Sequence, residues 1–414
     1  MPADGPQPAL FSREFASDPY PAYAWLREHA PVHRTTLPSG VEAWLVTRYG
    51  DARQALADQR LSKNPTRHAS DRTGIPGERG AGLMTHLLNI DPPDHTRLRR
   101  LVSKAFTPRR VAEFAPRVQQ LTDRLIDGFA GRGEADLIHE FAFPLPIYAI
   151  CDMLGVPAED QDEFRDWAGM MLHTSGGRPP GPRGDQGKGP RGGVARSVKK
   201  MRAYLVELIH RKRDDLGDDL ISGLIRASDH GEHLTEQEAA AMAFILLFAG
   251  FETTVNLIGN GVYQLLRHPE AMARLAAEPS LLPSAVEELL RYDGPVELAT
   301  WRFAAQDLEI GGRRIAEGDP VLVVLAAADR DPERFAEPDL LDLARRDNQH
   351  LGYGHGIHYC LGAPLARLEG QTAIGTLLRR APDLRFAGNP DELRWRGGLI
   401  MRGLRTLPVE FTAG

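Results

Sequence analysis

One cysteine of this chain, Cys360, lies in a sequence context that favours chemistry. It belongs to the segment 353–362, Tyr-Gly-His-Gly-Ile-His-Tyr-Cys-Leu-Gly, whose three glycines leave little side-chain bulk. Such a backbone can lie flat against a broad, rigid partner. A helical pattern with Pro364 in its first turn begins directly afterwards. The thiol is therefore expected at a helix N-terminus, where unpaired amides and the helix dipole favour the thiolate, the form that binds metals.

The residue types around Cys360 leave several roles open. A free cysteine is commonly a small buried apolar residue, and a nucleophilic cysteine would find a base in His358. A zinc site would need three further Cys or His ligands, whereas the only other cysteine, Cys151, lies in a distant apolar stretch that we interpret as core. A single thiolate on an open, glycine-lined loop also suits the axial position of a haem iron.

The longest helical pattern runs from Thr235 to His268. A capping box begins this pattern at Thr235, and Pro269 ends it. With a rise of about 1.5 Å per residue, the helix would be about 50 Å long. Residues 239–251 are apolar on all sides, as expected of a fully buried helix.

Polar residues interrupt this apolar helix in the segment 249–254, Ala-Gly-Phe-Glu-Thr-Thr. A threonine hydroxyl can bond back to the preceding turn and bend the helix, which would open a groove beside Gly250 for a diatomic ligand or a water molecule. Glu252 and Thr253 would then lie deep in the protein, where polar groups serve chemistry or a hydrogen-bond network. The alternative is a buried Glu252 that a neighbouring arginine satisfies.

Two further charged patterns lie on predicted helices. His95 and Arg99 are four residues apart in a helix that Asp94 can cap, so they share a face. An arginine-rich helix start is otherwise typical of a solvated surface. Glu288 and Arg291, three residues apart, can form an ion pair on one helix face.

The composition is that of an ordinary globular protein. The 414 residues are 42% hydrophobic and 26% charged, and no Pro/Gly/Ser linker divides them, so we expect one domain over 1–414. The formal net charge of −6 argues against general nucleic-acid binding. Residues 1–8 lack the order of a signal peptide, and two distant cysteines provide no disulfide framework. We therefore expect a cytoplasmic, monomeric protein that is not membrane-bound.

The remaining patterns predict a mainly α-helical protein with small β-sheets, an α+β fold. Segments 32–36 and 42–47 are expected to form a hairpin, and 308–315 and 320–325 two strands of a second small sheet. The Gly- and Pro-rich stretch from about 174 to 196 predicts a long mobile loop.

Together these motifs resemble those of the cytochrome P450 monooxygenases. The segment 353–362 is similar to the family's haem-binding loop, aromatic-Gly-x-Gly-x-His-x-Cys-x-Gly, with Tyr353 in place of the usual phenylalanine. The segment 249–254 resembles the family's acid-alcohol pair. The resemblance extends from about Asp18 to the end of the chain and implies the P450 fold, with haem between a long central helix and the cysteine loop. It also implies that the loop near 174–196 is a substrate-entry lid. In the pattern of the family, asparagine is expected at the position where this chain has Asp329.

The resemblance assigns roles to individual residues. Cys360 would bind the iron of haem b, and the catalytic residues Glu252 and Thr253 would route protons to the co-substrate O₂. The residues implied to contact the haem are His95, Arg99, Ala249, Gly250, Arg302, Tyr353, Gly354 and His358. The residues implied to line the substrate cavity are Leu87, Leu88, Phe244, Leu247, Val296, Leu298, Ala299, Leu399 and Ile400. The residues implied to form a buried structural network are Glu288, Arg291 and Arg345.

The implied activity is insertion of one oxygen atom from O₂ into a C–H or C=C bond of a hydrophobic natural product, as in actinobacterial members that modify macrolides and other polyketides. Electrons would come from a ferredoxin and its NAD(P)H-dependent reductase, since the chain carries no flavin or ferredoxin sequence. The donor would dock on a basic face that includes Arg99, Arg100, Lys104, Arg109 and Arg110. Two rival classes are a peroxide-driven haem-thiolate peroxygenase and a non-enzymatic haem carrier or sensor. Neither would need the Glu252–Thr253 pair.

Overall fold

The computed structural model describes residues 8–65, 86–174, 190–229 and 232–413, and the side chains of these residues except 171–174, 190–195, 228 and 229. Within these ranges the chain is mainly helical. The α-helices are α1 (Arg13–Ser17), α2 (Tyr20–His29), α3 (Tyr49–Ala57), α4 (Asp94–Ala105), α5 (Pro108–Glu113), α6 (Ala115–Ala130), α7 (Pro144–Leu154), α8 (Gln161–Thr174), α9 (Pro190–Asp214), α10 (Leu220–Arg226), α11 (Glu236–Arg267), α12 (Pro269–Ala277), α13 (Leu282–Asp293), α14 (Leu325–Ala328) and α15 (Ala363–Arg380).

Short strands form several small sheets beside these helices, which confirms the predicted fold class. The strands are β1 (Val32–Thr36), β2 (Glu42–Val46), β3 (Leu61–Ser62), β4 (Glu134–Asp136), β5 (Ser228–Asp229), β6 (Glu232–His233), β7 (Arg302–Ala304), β8 (Leu308–Ile310), β9 (Arg313–Ile315), β10 (Pro320–Val323), β11 (Arg385–Phe386) and β12 (Pro408–Glu410). A five-stranded sheet has the order β1-β2-β10-β7-β3, and β11-β12-β4, β5-β6 and β8-β9 form smaller sheets.

The five-stranded sheet confirms one strand prediction and corrects another. The predicted hairpin is present as β1 and β2, with Val32 opposite Val46. The second predicted sheet is wrong, because β8 and β9 pair only with each other, while β10 joins the N-terminal sheet between β2 and β7. All four residues of β10 are buried, which is typical of a strand with partners on both sides.

Three predicted boundaries can be compared with the structure. The capping box at Thr235 is confirmed, with reciprocal bonds between Thr235 and Glu238. The predicted Asp94 cap is wrong, because Pro93 occupies the cap position and α4 has no side-chain cap. The loop prediction for 174–196 is wrong from Pro190 onward, where α9 begins, because proline is compatible with a first helical turn. Residues 175–189 of the predicted loop lie outside the described ranges.

The 32-residue helix α11 is the central element, and it packs against α7, α9, α13 and α15. Of the helices in the described ranges, α11 alone is long and apolar enough to cross a membrane, but 72% of its apolar window is buried inside the protein. The core helix of a globular protein has the same properties. Cys151 on α7 is fully buried, as predicted.

Candidate active site

The segment 353–362 forms a tight loop before α15. The backbone N–H of Cys360 donates to the carbonyl of Tyr353 at 2.9 Å and closes the loop. Gly356 has φ +75°, and a Cβ at this position would lie 3.1 Å from the carbonyl oxygen of Leu56, at the end of α3. Only glycine satisfies both conditions, so it sets how closely the loop approaches α3.

Cys360 lies just before α15, as the sequence predicted, and it accepts bonds from the backbone N–H groups of Gly362 and Ala363. Although Cys360 has exposed surface, the protein surrounding its thiol raises the pKa by desolvation, and these amides together with the charges of Arg99 and Arg367 offset only part of that increase. The amides at the helix end thus favour the thiolate, as predicted, but burial has the larger effect on the thiol.

A nucleophile–base pair of Cys360 and His358 is not supported. Burial, followed by the positive charges of His95, Lys63 and Arg302, lowers the pKa of His358 to about 2, so this imidazole is a very weak base. The zinc alternative also lacks support, because no group of three or more His, Cys, Asp or Glu in the described ranges is arranged to hold a metal ion.

Accessible positions within otherwise buried segments indicate a cleft between α11 and the cysteine loop. Ala249 is exposed in the middle of α11, although Phe251 nearby is fully buried, and Cys360 is exposed close to the fully buried Ala363. The two helices meet further along, where a Cβ on Gly370 of α15 would lie 3.1 Å from the side chain of Leu257. Ala249 on α11 and Cys360 just before α15 both precede this contact in the sequence, as expected if the two segments diverge there.

A buried cluster of basic side chains lies beside this cleft. The rings of His95 and His358 are 4.3 Å apart, and neither ring nitrogen of His95 has a hydrogen-bond partner in the protein. His95, Lys63 and Arg302 are all at least 95% buried. Burial lowers the pKa of Arg302 to about 10 and that of Lys63 well below its ordinary value.

One carboxylate, Asp91, lies close to this cluster. Its Oδ1 accepts from the backbone N–H of Lys63 at 2.8 Å, and its charge partly offsets the effect of burial on Lys63, His95 and Arg302. The basic side chains of this cluster therefore outnumber the nearby carboxylate. Because buried charge needs a counter-charge, the cluster fits an anionic group such as the two carboxylates of haem.

Two of the predicted haem contacts also hold the backbone in place. Arg99 Nη2 donates to the carbonyl of Tyr359 at 2.8 Å and thereby connects α4 with the cysteine loop. Arg302 Nη1 donates to the carbonyl of Thr300 at 3.3 Å. Tyr353 is buried, its hydroxyl has no partner, and the Arg367 guanidinium lies 4.5 Å from its ring centre. The hydroxyl that distinguishes it from phenylalanine is thus unsatisfied.

Lys63 was not predicted as a site residue. Its Nζ donates to the carbonyls of Thr300 at 3.0 Å and Trp301 at 2.8 Å, and to the Thr300 hydroxyl. These bonds follow from the pairing of β3 with β7, which places Ser62 opposite Phe303. A lysine after a two-residue strand gives no sequence signal of burial.

The polar interruption of α11 has the predicted back-bonds. The Thr253 hydroxyl donates to the carbonyl of Ala249 at 2.8 Å, and the Thr254 hydroxyl donates to that of Gly250 at 2.9 Å. Glu252 is 94% buried. The carbonyls of Ala249 and Gly250, on one helix turn, thus each accept an additional hydrogen bond from a threonine hydroxyl. Ala249 itself is accessible.

A second buried acid, Glu369 on α15, was also missed by the sequence analysis. It is fully buried, its Oε1 has no partner, and burial raises the pKa of its carboxyl to about 8, against a smaller lowering effect of a bond with Thr254. Glu369 is therefore protonated at neutral pH and lies against the turn of α11 that carries the acid-alcohol pair.

The three residues of the predicted structural network are in contact. Glu288 accepts a bidentate pair from Arg291 at 2.8 Å and bonds from Arg345 Nε at 3.1 Å. The side chains of Glu288 and Arg291 have no exposed surface. Arg291 Nη1 also donates to the carbonyl of Asp329 at 2.9 Å, so the network connects α13 with the chain before the cysteine loop.

Asp329 has a backbone role. The backbone N–H of Leu351 donates to Asp329 Oδ1 at 2.6 Å, just before the cysteine loop. Burial raises the pKa of the Asp329 carboxyl to about 6, although His350 and Arg291 partly counteract this. An asparagine oxygen could accept the same bond, so the aspartate differs mainly in its ability to ionise.

The predicted substrate residues fall into two groups. Leu87, Leu88, Phe244 and Leu247 belong to the main hydrophobic cluster around α11. The segment 296–299 lies beside the segment 399–401 through a bridge of Val296 with Met401 and a 2.8 Å bond from the backbone N–H of Glu297 to the carbonyl of Ile400. Val296 and Ala299 pack in a second cluster, and Leu298 packs in a third, on which Leu399 rests.

The predicted basic docking face carries less free charge than the sequence suggests. Arg100 pairs with Glu232, and Arg109 pairs with Glu113 at 2.8 Å. Arg110 donates to the carbonyl of Ala105 at 2.9 Å.

Comparisons with known proteins identify the family of this chain. The sequence model described as "Cytochrome P450" matches residues 189–381. Cytochrome P450 107B1 of Saccharopolyspora erythraea is 48% identical over 98% of each chain, and the mycinamicin IV hydroxylase/epoxidase of Micromonospora griseorubida is 42% identical over 94% of each. The solved structure of PksS, the cytochrome P450 of the Bacillus subtilis bacillaene polyketide synthase, matches with a TM-score of 0.88 at 37% identity, over 97% of this chain and 99% of that one. The chain therefore belongs to the cytochrome P450 family and is a monooxygenase of the haem-thiolate type.

Proposed function

We propose that this single-domain enzyme is a cytoplasmic, monomeric bacterial monooxygenase that oxidises a hydrophobic natural product of the polyketide or macrolide class. Bound haem supplies the iron that activates O₂. Each turnover consumes one O₂, two electrons and two protons, inserts one oxygen atom into a C–H or C=C bond, and releases one water. The observation that carries the proposal is the accessible Cys360 just before α15, beside a buried basic cluster in which both His95 ring nitrogens lack a hydrogen-bond partner.

The residues that would hold the haem lie on both sides of the cleft. Cys360 would supply the thiolate ligand, and His95, Arg99, Arg302 and His358 would bind the haem carboxylates. Gly354, with φ +75°, would let the loop approach the haem without side-chain bulk, and Ala249 and Gly250 on α11 would border the haem site from the other side of the cleft. Small residues on α11 leave space for O₂ there.

Proton delivery would use Glu252 and Thr253. The Thr253 hydroxyl donates to the carbonyl of Ala249, which is accessible on the side of α11 that we assign to the cleft. By rotation it could donate towards O₂ instead, and the buried Glu252 carboxylate is the adjacent residue that can accept and pass on a proton. A peroxygenase or a haem carrier would have no use for this buried pair, so its presence favours the monooxygenase.

The substrate class is inferred from chemistry and from relatives. The predicted wall residues are aliphatic or aromatic, which suits a large apolar molecule. The relatives include a mycinamicin IV hydroxylase/epoxidase and a P450 of a polyketide synthase. Electrons would come from a ferredoxin and its NAD(P)H-dependent reductase, because iron alone cannot supply the two electrons that each turnover consumes.

The experiment uses haem-loaded protein and mycinamicin IV within a panel of macrolides. Addition of NADH, ferredoxin, reductase and isotopically labelled O₂ should give a product with one labelled oxygen atom, and omission of the reductase should abolish it. Peroxide alone supporting the same rate would identify a peroxygenase and contradict the proposal. A protein that binds haem but oxidises nothing in the panel under either condition would contradict the proposed substrate class.

A further inference from the structure

Four buried polar side chains follow one another along α11 at intervals of four residues: Glu252, Asn256, Asn260 and Gln264. Residues four apart lie on the same helix face. This polar face contacts the C-terminal segment and the end of α13. Asn260 Nδ2 donates to the carbonyl of Arg402 at 3.1 Å, and Gln264 Nε2 donates to Asp293 Oδ2 at 2.6 Å.

Arg396 contacts this polar face one helical turn from Glu252. Its guanidinium donates to Asn256 Oδ1. Its backbone N–H donates to the carbonyl of Gly403 at 2.7 Å, and Trp395 bridges with Leu404 next to it. Arg396 therefore lies in a short hairpin, 394–405, which fixes its backbone against α11.

Gly403 makes this approach possible. A Cβ at Gly403 would overlap the side-chain oxygen of Asn256 and would lie 2.9 Å from Arg396 Nη2. At Gly403 the hairpin therefore contacts the Asn256–Arg396 pair through its backbone alone. Any side chain at position 403 would displace the guanidinium.

The positive charge of Arg396 acts on Glu252. Burial lowers the pKa of the half-buried Arg396, while the Glu252 carboxylate raises it. The guanidinium and the Glu252 carboxylate therefore attract each other. Asn256 holds the guanidinium from the next turn of α11, on the helix face that it shares with Glu252.

We propose that Arg396, held in the C-terminal hairpin, is a positioning residue for Glu252 and orients its carboxylate for proton transfer. This role rests on the proposed proton-relay function of Glu252. A pair that is merely structural would affect stability, whereas a positioning residue affects how efficiently electrons are converted into product.

The test compares R396Q, the conservative variant R396K and the control R394Q, which changes an exposed arginine of the same hairpin. Mycinamicin IV is the probe, or the panel compound that the wild type oxidises. In R396Q, product formed per NADH should fall about 3- to 30-fold, which lies within the range expected for residues that interact directly. The missing reducing equivalents should appear as peroxide. Peroxide-supported oxidation and the substrate-induced spectral shift should remain at wild-type levels, R396K should restore most of the coupling, and R394Q should match the wild type.

Failure of this inference differs from failure of the proposed function. If the wild type forms product and E252Q is uncoupled while folded R396Q remains coupled, Arg396 does not position the acid, although the monooxygenase stands. If the two residues act as a unit, the double variant E252Q/R396Q should be no more uncoupled than E252Q alone. If the losses of coupling in E252Q and R396Q instead add up in the double variant, the inference is overturned.

Discussion

The imidazole rings of His95 and His358 lie 4.3 Å apart at an interplanar angle of 52°, and both ring nitrogens of His95 lack a partner. Buried donors and acceptors without partners are unfavourable in a folded protein. Lys63 and Arg302, both buried, add positive charge to the same region. An anion that enters this cluster would satisfy both the charge and the unpaired nitrogens, which is why we assign it to the haem carboxylates.

Replacement of His95 by phenylalanine should separate haem binding from folding. H95F keeps a ring against His358 but removes the two unpaired nitrogens, so the haem-free protein should be at least as stable as the wild type in urea. Haem affinity should fall about tenfold or more, as expected for the loss of a hydrogen bond to a charged group. The rate of haem transfer to an excess of an acceptor protein measures this loss of haem affinity. The control H29F changes an exposed histidine on α2 and should leave transfer unchanged; equal haem retention in H95F would remove His95 from the cofactor site.

The buried Glu288 network should be essential for stability. In E288Q the carboxylate that Arg291 and Arg345 share becomes neutral, which leaves a fully buried Arg291 without a counter-charge. The free energy of unfolding should decrease by about 3–5 kcal/mol. Urea denaturation of the haem-free protein measures the change. D307N removes a carboxylate from the exposed Arg314 pair and should leave the midpoint unchanged; a similarly small effect in E288Q would contradict the structural role.

The sequence predicted those parts of the site that short motifs specify. The glycine loop, Cys360 and the helix after it follow from local patterns, as does the capping box at Thr235. Lys63, Glu369 and Arg396 were missed, because each reaches its place through pairing between distant segments, such as β3 with β7 or the C-terminal hairpin with α11. The strand β10 shows the same limit, since its partners β2 and β7 come from distant parts of the chain.

Glu369 should make stability depend on pH in a specific direction. Its folded pKa of about 8 lies above the ordinary value of 4.5, so between these values the unfolded chain loses a proton that the native protein keeps. Stability from this group is therefore present below about pH 4.5 and decreases as the pH rises towards 8. E369Q cannot ionise, so its stability relative to the wild type should increase by on the order of 3 kcal/mol from pH 5 to pH 8. If the urea midpoints of the wild type and E369Q instead change by the same amount between pH 5 and pH 8, Glu369 ionises normally in the native state.

The Thr253 hydroxyl should control how electrons are used. T253A removes a group that donates to the Ala249 carbonyl and that we assign to proton delivery, so haem binding and its spectrum should not change. Product per NADH should fall at least about tenfold, with peroxide formed instead, in line with the loss of an acid–base group. T253S keeps the hydroxyl and should retain most of the coupling. A fully coupled T253A enzyme would exclude Thr253 from the relay.

The position of the accessible thiol could be predicted, but its protonation could not. The sequence places Cys360 at a helix N-terminus, where the dipole favours the anion. The structure adds burial, which raises the pKa of the thiol more than Gly362, Ala363, Arg99 and Arg367 lower it. Burial depends on the packing of several distant segments, so only the folded structure reveals which effect is larger.

The most direct test of the central assignment is the absorption spectrum of the haem-loaded protein after reduction and addition of carbon monoxide. Wild type and the control C151S, which changes the buried core cysteine, should both show the signature of a thiolate-ligated haem. C360H should bind haem without that signature. A thiolate signature that persists in C360H, or a correctly folded wild-type protein that takes up no haem, would contradict Cys360 as the ligand of the iron.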